Sequence, residues 1–131
     1  MQDDEINRPE VVEEVTTALA LYERALDAND TEALEQIFWN SDLVLRFGAR
    51  ECLIGIDDIR RFRSVRSKSG PARKTLKSVV TTFGRDTATV SMLFERENEG
   101  NRIGRWTQTW VRLPGGWRIV AAHVSLIARE D

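Results

Sequence analysis

Beyond Pro71 the hydrophobic pattern changes from a helical period to a strand period, and this change constrains the fold more than any other feature. Segments 76–83, 87–96, 103–113 and 116–126 have strand character, and Gly84-Arg85-Asp86, Asn98-Glu99-Gly100-Asn101 and Pro114-Gly115-Gly116 supply the turns between them. Short connections of this composition join neighbouring strands antiparallel, so the C-terminal half reads as a meander.

The N-terminal half reads differently. Val12, Val15, Leu19, Tyr22 and Leu26 recur three and four residues apart and define the apolar stripe of an amphipathic helix. Asn7 is placed to cap it, with Pro9 in the first turn and Glu10 at the capping-box position. Asp30 suits the N-cap of a second, shorter helix through Leu34, Ile37 and Phe38. Residues 43–47 read as a strand, turned by Gly48-Ala49-Arg50 into a short partner with Leu53 and Ile54. A third helix runs from Ile56 to about Arg66, with Asp57 and Asp58 in its first turn, where the helix dipole favours negative charge. Helices first and a long sheet afterwards give an α+β expectation: a curved antiparallel sheet covered by three helices, one domain over 1–131.

A chain of 131 residues buries roughly two thirds of its unfolded surface and needs no disulfide or metal staple. The single cysteine, Cys52, forms no intrachain bridge, which is compatible with a reducing compartment. The acidic start Met1-Gln2-Asp3-Asp4-Glu5 does not read as a signal peptide, and no apolar run is long enough to cross a bilayer, so the expected location is cytoplasmic, with no membrane partner. Residues 1–42 carry twelve acids against Arg8 and Arg24, whereas residues 43–131 carry seventeen basic residues against nine acids, so the two halves attract. Eight basic residues and no acid lie between Arg60 and Lys77, yet the pI of about 5.5 and the lack of interleaved aromatics argue against nucleic acid.

Strict alternation along the last strand puts Trp117, Ile119, Ala121, His123 and Ser125 on one face, a greasy row ending in a polar pair, as in a ligand pocket. The opposite row, Val120, Ala122, Val124 and Leu126, then forms a convex contact face for a second copy, and a homodimer is expected. Tyr22, the only tyrosine, lies on the buried stripe of the first helix. Arg46 shares the side of Val44 in the first strand. On the third helix Arg66 falls within the apolar arc of Ile56, Ile59 and Phe62, with Arg63 at its margin. Buried arginines require an anionic or carbonyl partner; here that is a ligand or an acid of the first helix such as Glu14 or Glu23. Trp106, Gln108 and Trp110 share one face of the fifth strand, and Gln108 offers a donor and an acceptor to an amide or urea group. One histidine and one cysteine give no metal-ligand cluster, and no glycine-rich phosphate loop occurs, so neither metal nor cofactor is expected.

The order of elements resembles the SnoaL-like group of the nuclear transport factor 2-like and ketosteroid isomerase superfamily. More narrowly, Ile6-Asn7-Arg8-Pro9-Glu10-Val11, Leu45-Arg46-Phe47-Gly48, Phe62-Arg63-Ser64-Val65-Arg66, Thr81-Thr82-Phe83-Gly84-Arg85-Asp86, Gln108-Thr109-Trp110 and Trp117 to Ser125 resemble the AtzH-like family, which includes HpxZ-type proteins of oxalurate catabolism. The resemblance implies the cone-shaped cystatin-like fold. It also implies a decarboxylating amidohydrolase acting on a small anionic ureide such as 1,3-dicarboxyurea. Tyr22 and Arg46 match the family's tyrosine and arginine; His123 joins them as a base or a support for Tyr22, with Arg63, Arg66, Gln108, Trp110 and Ser125 around the substrate. Trp106 departs from the glutamine expected at its position and replaces an amide with bulk. The alternative from another class is a non-catalytic protein that binds a ureide or an amidase partner; an isomerase-like reading would need a carboxylate inside the cone, with Glu95 the main candidate.

Overall fold

The computed structural model describes residues 1–65 and 73–130; Arg66 lies outside them. Helix α1 spans Pro9–Asp27, with proline where the unsatisfied first-turn N–H would otherwise sit. Its cap differs from expectation: Arg8 holds the N-cap position, while Asn7 adopts φ +58° and turns to the sheet. The Asn7 Oδ1 accepts from Thr82 N at 2.9 Å, and its own N–H donates to the Thr82 carbonyl at 3.0 Å. An asparagine tolerates this left-handed backbone better than most residues. The buried stripe is Val11, Val15, Leu19, Tyr22 and Ala25, so Val12 and Leu26 sit at its margins. Helix α2, Thr31–Ile37, starts as expected, with Asp30 Oδ1 accepting from Ala33 N at 3.2 Å.

Strands β1 (Leu45–Phe47) and β2 (Cys52–Ile54) form a hairpin, and helix α3 (Ile56–Val65) follows. Strands β3 (Arg73–Phe83), β4 (Thr87–Arg96), β5 (Arg102–Leu113) and β6 (Gly116–Ala128) make the meander. The sheet order is β2-β1-β6-β5-β4-β3, and every neighbouring pair is antiparallel except β1–β6, which is parallel. The fold is thus α+β with a mixed sheet. Its inner face, from Val90, Met92, Trp110 and Ile119, packs against Val15, Leu19, Leu34, Phe38 and Ile59 of the helical side. The charge asymmetry between the halves appears as ion pairs Asp27–Arg73 (3.5 Å), Glu10–Arg85 (3.8 Å) and Glu14–Arg112 (3.4 Å). The Glu10–Arg85 and Glu14–Arg112 pairs are exposed and contribute about 0–1 kcal/mol each.

One bulge reassigns the faces of β6. Thr109 pairs with Ala121 and Trp110 with Ile119, leaving Val120 as an extra residue without a partner on β5. Two consecutive positions then fail to alternate, and the rest of the strand is turned over relative to strict alternation. Ile119, Ala122 and Val124 are buried, whereas His123 is exposed. The expected row Trp117, Ile119, Ala121, His123 and Ser125 therefore does not share one face. The expected dimer row is corrected as well, because Ala122 and Val124 belong to the core rather than to a convex contact surface.

Gly104 on β5 is buried, and a Cβ there would collide with the Phe94 ring, which lies across it from β4. Phe94 is itself fully buried and has no room to swing away. Gly104→Ala is expected to destabilise the protein by about 1–3 kcal/mol, read from urea unfolding midpoints.

Candidate active site

Tyr22 projects from α1 into an aromatic box. It is 4 % exposed, and its ring meets Phe38, Trp106 and Trp110 edge to face at 6.3, 5.9 and 6.2 Å. Even alternation on β5 aims Trp106, Gln108 and Trp110 inward together, as the sequence pattern predicts. Gln108 Oε1 accepts from Trp110 Nε1 at 3.0 Å, fixing the amide within the wall. Trp106 carries the Arg73 guanidinium over its face at 4.7 Å, and its buried Nε1 has no hydrogen-bond partner among the described residues.

The same inner face becomes cationic toward the C-terminal ends of β4 and β6. Arg46 on β1 sits opposite Ala122 and is 7 % exposed; its Nη1 donates to Glu51 Oε1 at 2.6 Å, and its guanidinium lies 5.2 Å over the Phe62 ring. Gly48 makes that pair possible, since any side chain at 48 would collide with the Glu51 carboxylate. Arg46 opens onto a cavity of about 540 Å³, also lined by Arg50, Arg96, Arg102, His123 and Ser125. Strand β1 ends at Phe47 opposite His123, which leaves the edge of β6 uncovered beyond that point. Side chains from both faces of β6 therefore reach the cavity.

A relay of contacts links the cavity to the box, although Tyr22, Trp106, Gln108 and Trp110 do not line the cavity themselves. Arg96 lines the cavity and lies 5.6 Å over Phe94, whose ring is 5.6 Å from Trp106, which in turn meets Tyr22. Arg63, expected at the margin of its helix, is fully inside, 5 % exposed with its guanidinium 5.7 Å over Phe38. Arginine faces inward from both β1 and α3, in agreement with the pattern of the sequence.

Several expected roles are relocated. His123 approaches the cavity from the outer side, its ring 6.2 Å from Phe47, so Tyr22 takes its ring contacts from the box rather than from the histidine. Ser125 Oγ accepts from Arg105 Nε at 3.1 Å. Glu14 accepts from Trp117 Nε1 at 3.0 Å and pairs with Arg112 at 3.4 Å. Glu95 pairs with Arg129 at 2.8 Å and does not enter the box. Sequence reading passed over Arg96, Arg102 and Glu51. The first two were legible, since they continue the inward rows Met92-Phe94 and Trp106-Gly104; Glu51 was not, because its approach depends on the hairpin geometry.

Burial raises the Glu23 carboxyl above its ordinary range; the charge of Arg73 opposes this and that of Asp27 adds to it. A carboxyl with a raised folded-state pKa binds its proton more tightly in the folded state. Its stabilising contribution is full below the unfolded value of about 4.5 and is lost as pH rises through the folded value. Glu23→Gln is therefore expected to raise the thermal midpoint at pH 7 relative to the unaltered protein. The gain should disappear below about pH 4, as scanning calorimetry at both pH values would show.

A curved sheet wrapped on three helices, with a polar-mouthed hollow on its inner face, defines the nuclear transport factor 2-like or cystatin-like class. The chain is similar to a protein of unknown function of the DUF3225 family from Pectobacterium atrosepticum, at 45 % identity over 98 % of this chain and 99 % of that one, with a TM-score of 0.94. It is similar to a cystatin-like fold protein from Burkholderia xenovorans, at 45 % identity over 96 % and 98 %, TM-score 0.91. A nuclear transport factor 2-like superfamily protein from Salmonella enterica serovar Typhimurium shares the fold at 23 % identity over 93 % and 94 %, TM-score 0.73. The AtzH-like family profile matches residues 4–130, and the chain belongs to that family. No curated protein matches it.

Proposed function

We propose that the protein is a hydrolase that needs no metal and decarboxylates a small anionic ureide of the 1,3-dicarboxyurea type, in cytoplasmic nitrogen catabolism. The observation that carries this reading is Arg46: a buried guanidinium with one carboxylate partner among the described residues, facing a cavity of about 540 Å³. A guanidinium has five donors in a planar fork, and one pair with Glu51 leaves donors for a substrate carboxylate. Holding that carboxylate while the carbamate N–C bond breaks returns the bonding electrons to nitrogen. The nitrogen must then gain a proton as carbon dioxide departs.

Tyr22 is the candidate donor, because its hydroxyl is carried on a ring fixed by three aromatic neighbours. The proton is replaced from solvent, with which His123 at the rim of the cavity exchanges directly. Arg63 adds a second positive charge near Phe38, favouring an anionic guest, while Gln108 and Trp110 shape the apolar wall. Expected roles of Arg66 and Ser125 in binding stand with this proposal.

The test is incubation of the purified protein with freshly prepared 1,3-dicarboxyurea, following carbon dioxide release against a protein-free control. Enzyme-dependent carbon dioxide release is the expected result. Tight retention of the ureide with no product after long incubation would assign the cavity to binding and favour an accessory role beside an amidase.

A further inference from the structure

We propose that Arg102 forms a second oxyanion-binding position across the cavity from Arg46, with Arg50 supporting Arg46 at the near end, so that the site selects small ligands with an anionic group at each end. This rests on the reading of Arg46 as the first anion position. Of the four arginines lining the cavity, Arg46 faces Glu51 at 2.6 Å and Arg96 faces Glu99 at 3.6 Å. Among the described residues, no carboxylate lies within ion-pair distance of Arg50 or Arg102. Both cavity-lining glutamates are already engaged, so the walls hold two guanidinium charges that no protein group balances. Like charges in a shared concave space repel one another, and an anion held at each removes that cost.

The topology sets the two arginines apart. Arg50 belongs to the β1–β2 turn, closed by Gly48 N donating to the Glu51 carbonyl at 2.8 Å. Arg102 opens β5, its N–H donating to the Glu99 carbonyl at 3.0 Å. It shares the inward parity of Gly104 and Trp106. In the sheet β6 lies between β1 and β5, and two strand spacings separate these elements by about 10 Å. Val124 and Leu126 of β6 form the apolar floor between them. Long arginine side chains reaching in from both sides of this floor suit a short chain with an oxyanion at either end, and a neutral or singly charged analogue would leave one side unbalanced.

The experiment compares glutarate with glutaramate, which have nearly the same shape but carry two charges and one, by isothermal titration at pH 7.5 on the intact chain. The protein is expected to bind glutarate at least about tenfold more tightly. In the Arg102→Gln variant the two affinities should fall within about twofold of each other, while Arg46→Ala should weaken both ligands. Arg102 is exposed, and an unchanged thermal midpoint would show that the variant folds. Equal affinities in the unaltered protein, a preference that survives in the Arg102→Gln variant, or no binding of either ligand each overturns the second position. If carbon dioxide release from dicarboxyurea still depends on Arg46 in those cases, the reading of the first position stands; if it does not, that reading falls separately.

Discussion

Arg46→Ala is expected to lower kcat/KM for dicarboxyurea decarboxylation by about a hundredfold or more, the scale of a charged hydrogen bond made in a largely dehydrated site. Arg46→Lys should recover little of it, because an ammonium keeps the charge and loses the planar fork. The effect on stability runs separately. Removing Arg46 leaves Glu51, whose side chain is 22 % exposed, without its partner; water offsets part of that loss and limits it to about 1–3 kcal/mol. Tyr22→Phe complements the test. It keeps every ring contact of the box and removes only the hydroxyl, so kcat should fall by about a hundredfold or more with the fold intact. Carbon dioxide release and circular dichroism melts on the same preparations separate the two effects. Unchanged turnover in both Arg46→Ala and Tyr22→Phe would end the hydrolase assignment.

Val124→Lys and His123→Lys form the second contrast, and the bulge at Val120 decides it. Val124 is 9 % exposed, a member of the core, and lies in the same cavity wall as Arg46 and Arg102. An ammonium placed there loses its hydration and meets like charge, so at least about 3 kcal/mol of stability should be lost. His123 is exposed, and a lysine in its place should change stability by no more than about 0.5 kcal/mol. Urea denaturation of both variants is the measurement. Strict alternation along β6 predicts the reverse ranking, so a stable Val124→Lys with a collapsed His123→Lys would contradict the bulged strand.

Much of the fold was legible because local chemistry and tertiary packing agree. The period of α1, the Asp30 cap, the acidic first turn of α3 and the turns of the meander all act within a few residues, and each element appears where those signals place it. Arg46 beside Val44 and the inward trio Trp106, Gln108 and Trp110 follow from alternation in strands that carry no bulge at those positions. Asn7 departed from its expected cap because Thr82, seventy-five residues away, offers both a donor and an acceptor to it. The parallel pairing of β1 with β6 was likewise illegible, since nothing local specifies which distant strand a three-residue segment will join.

The sequence by itself determined the elements, the division into a helical and a sheet half, the inward arginines of β1 and α3, and the tyrosine on the buried stripe. Only the tertiary structure decided which face of β6 is inside, that His123 serves the rim, and that Arg96 and Arg102 join Arg46 around one cavity. The physical reason is that side-chain direction in a strand is set by counting, and a single unpaired residue changes the count. A bulge costs its own segment little and announces itself weakly there; its position is fixed by the pairing of β6 with β5, where Val120 has no counterpart between Thr109 and Trp110.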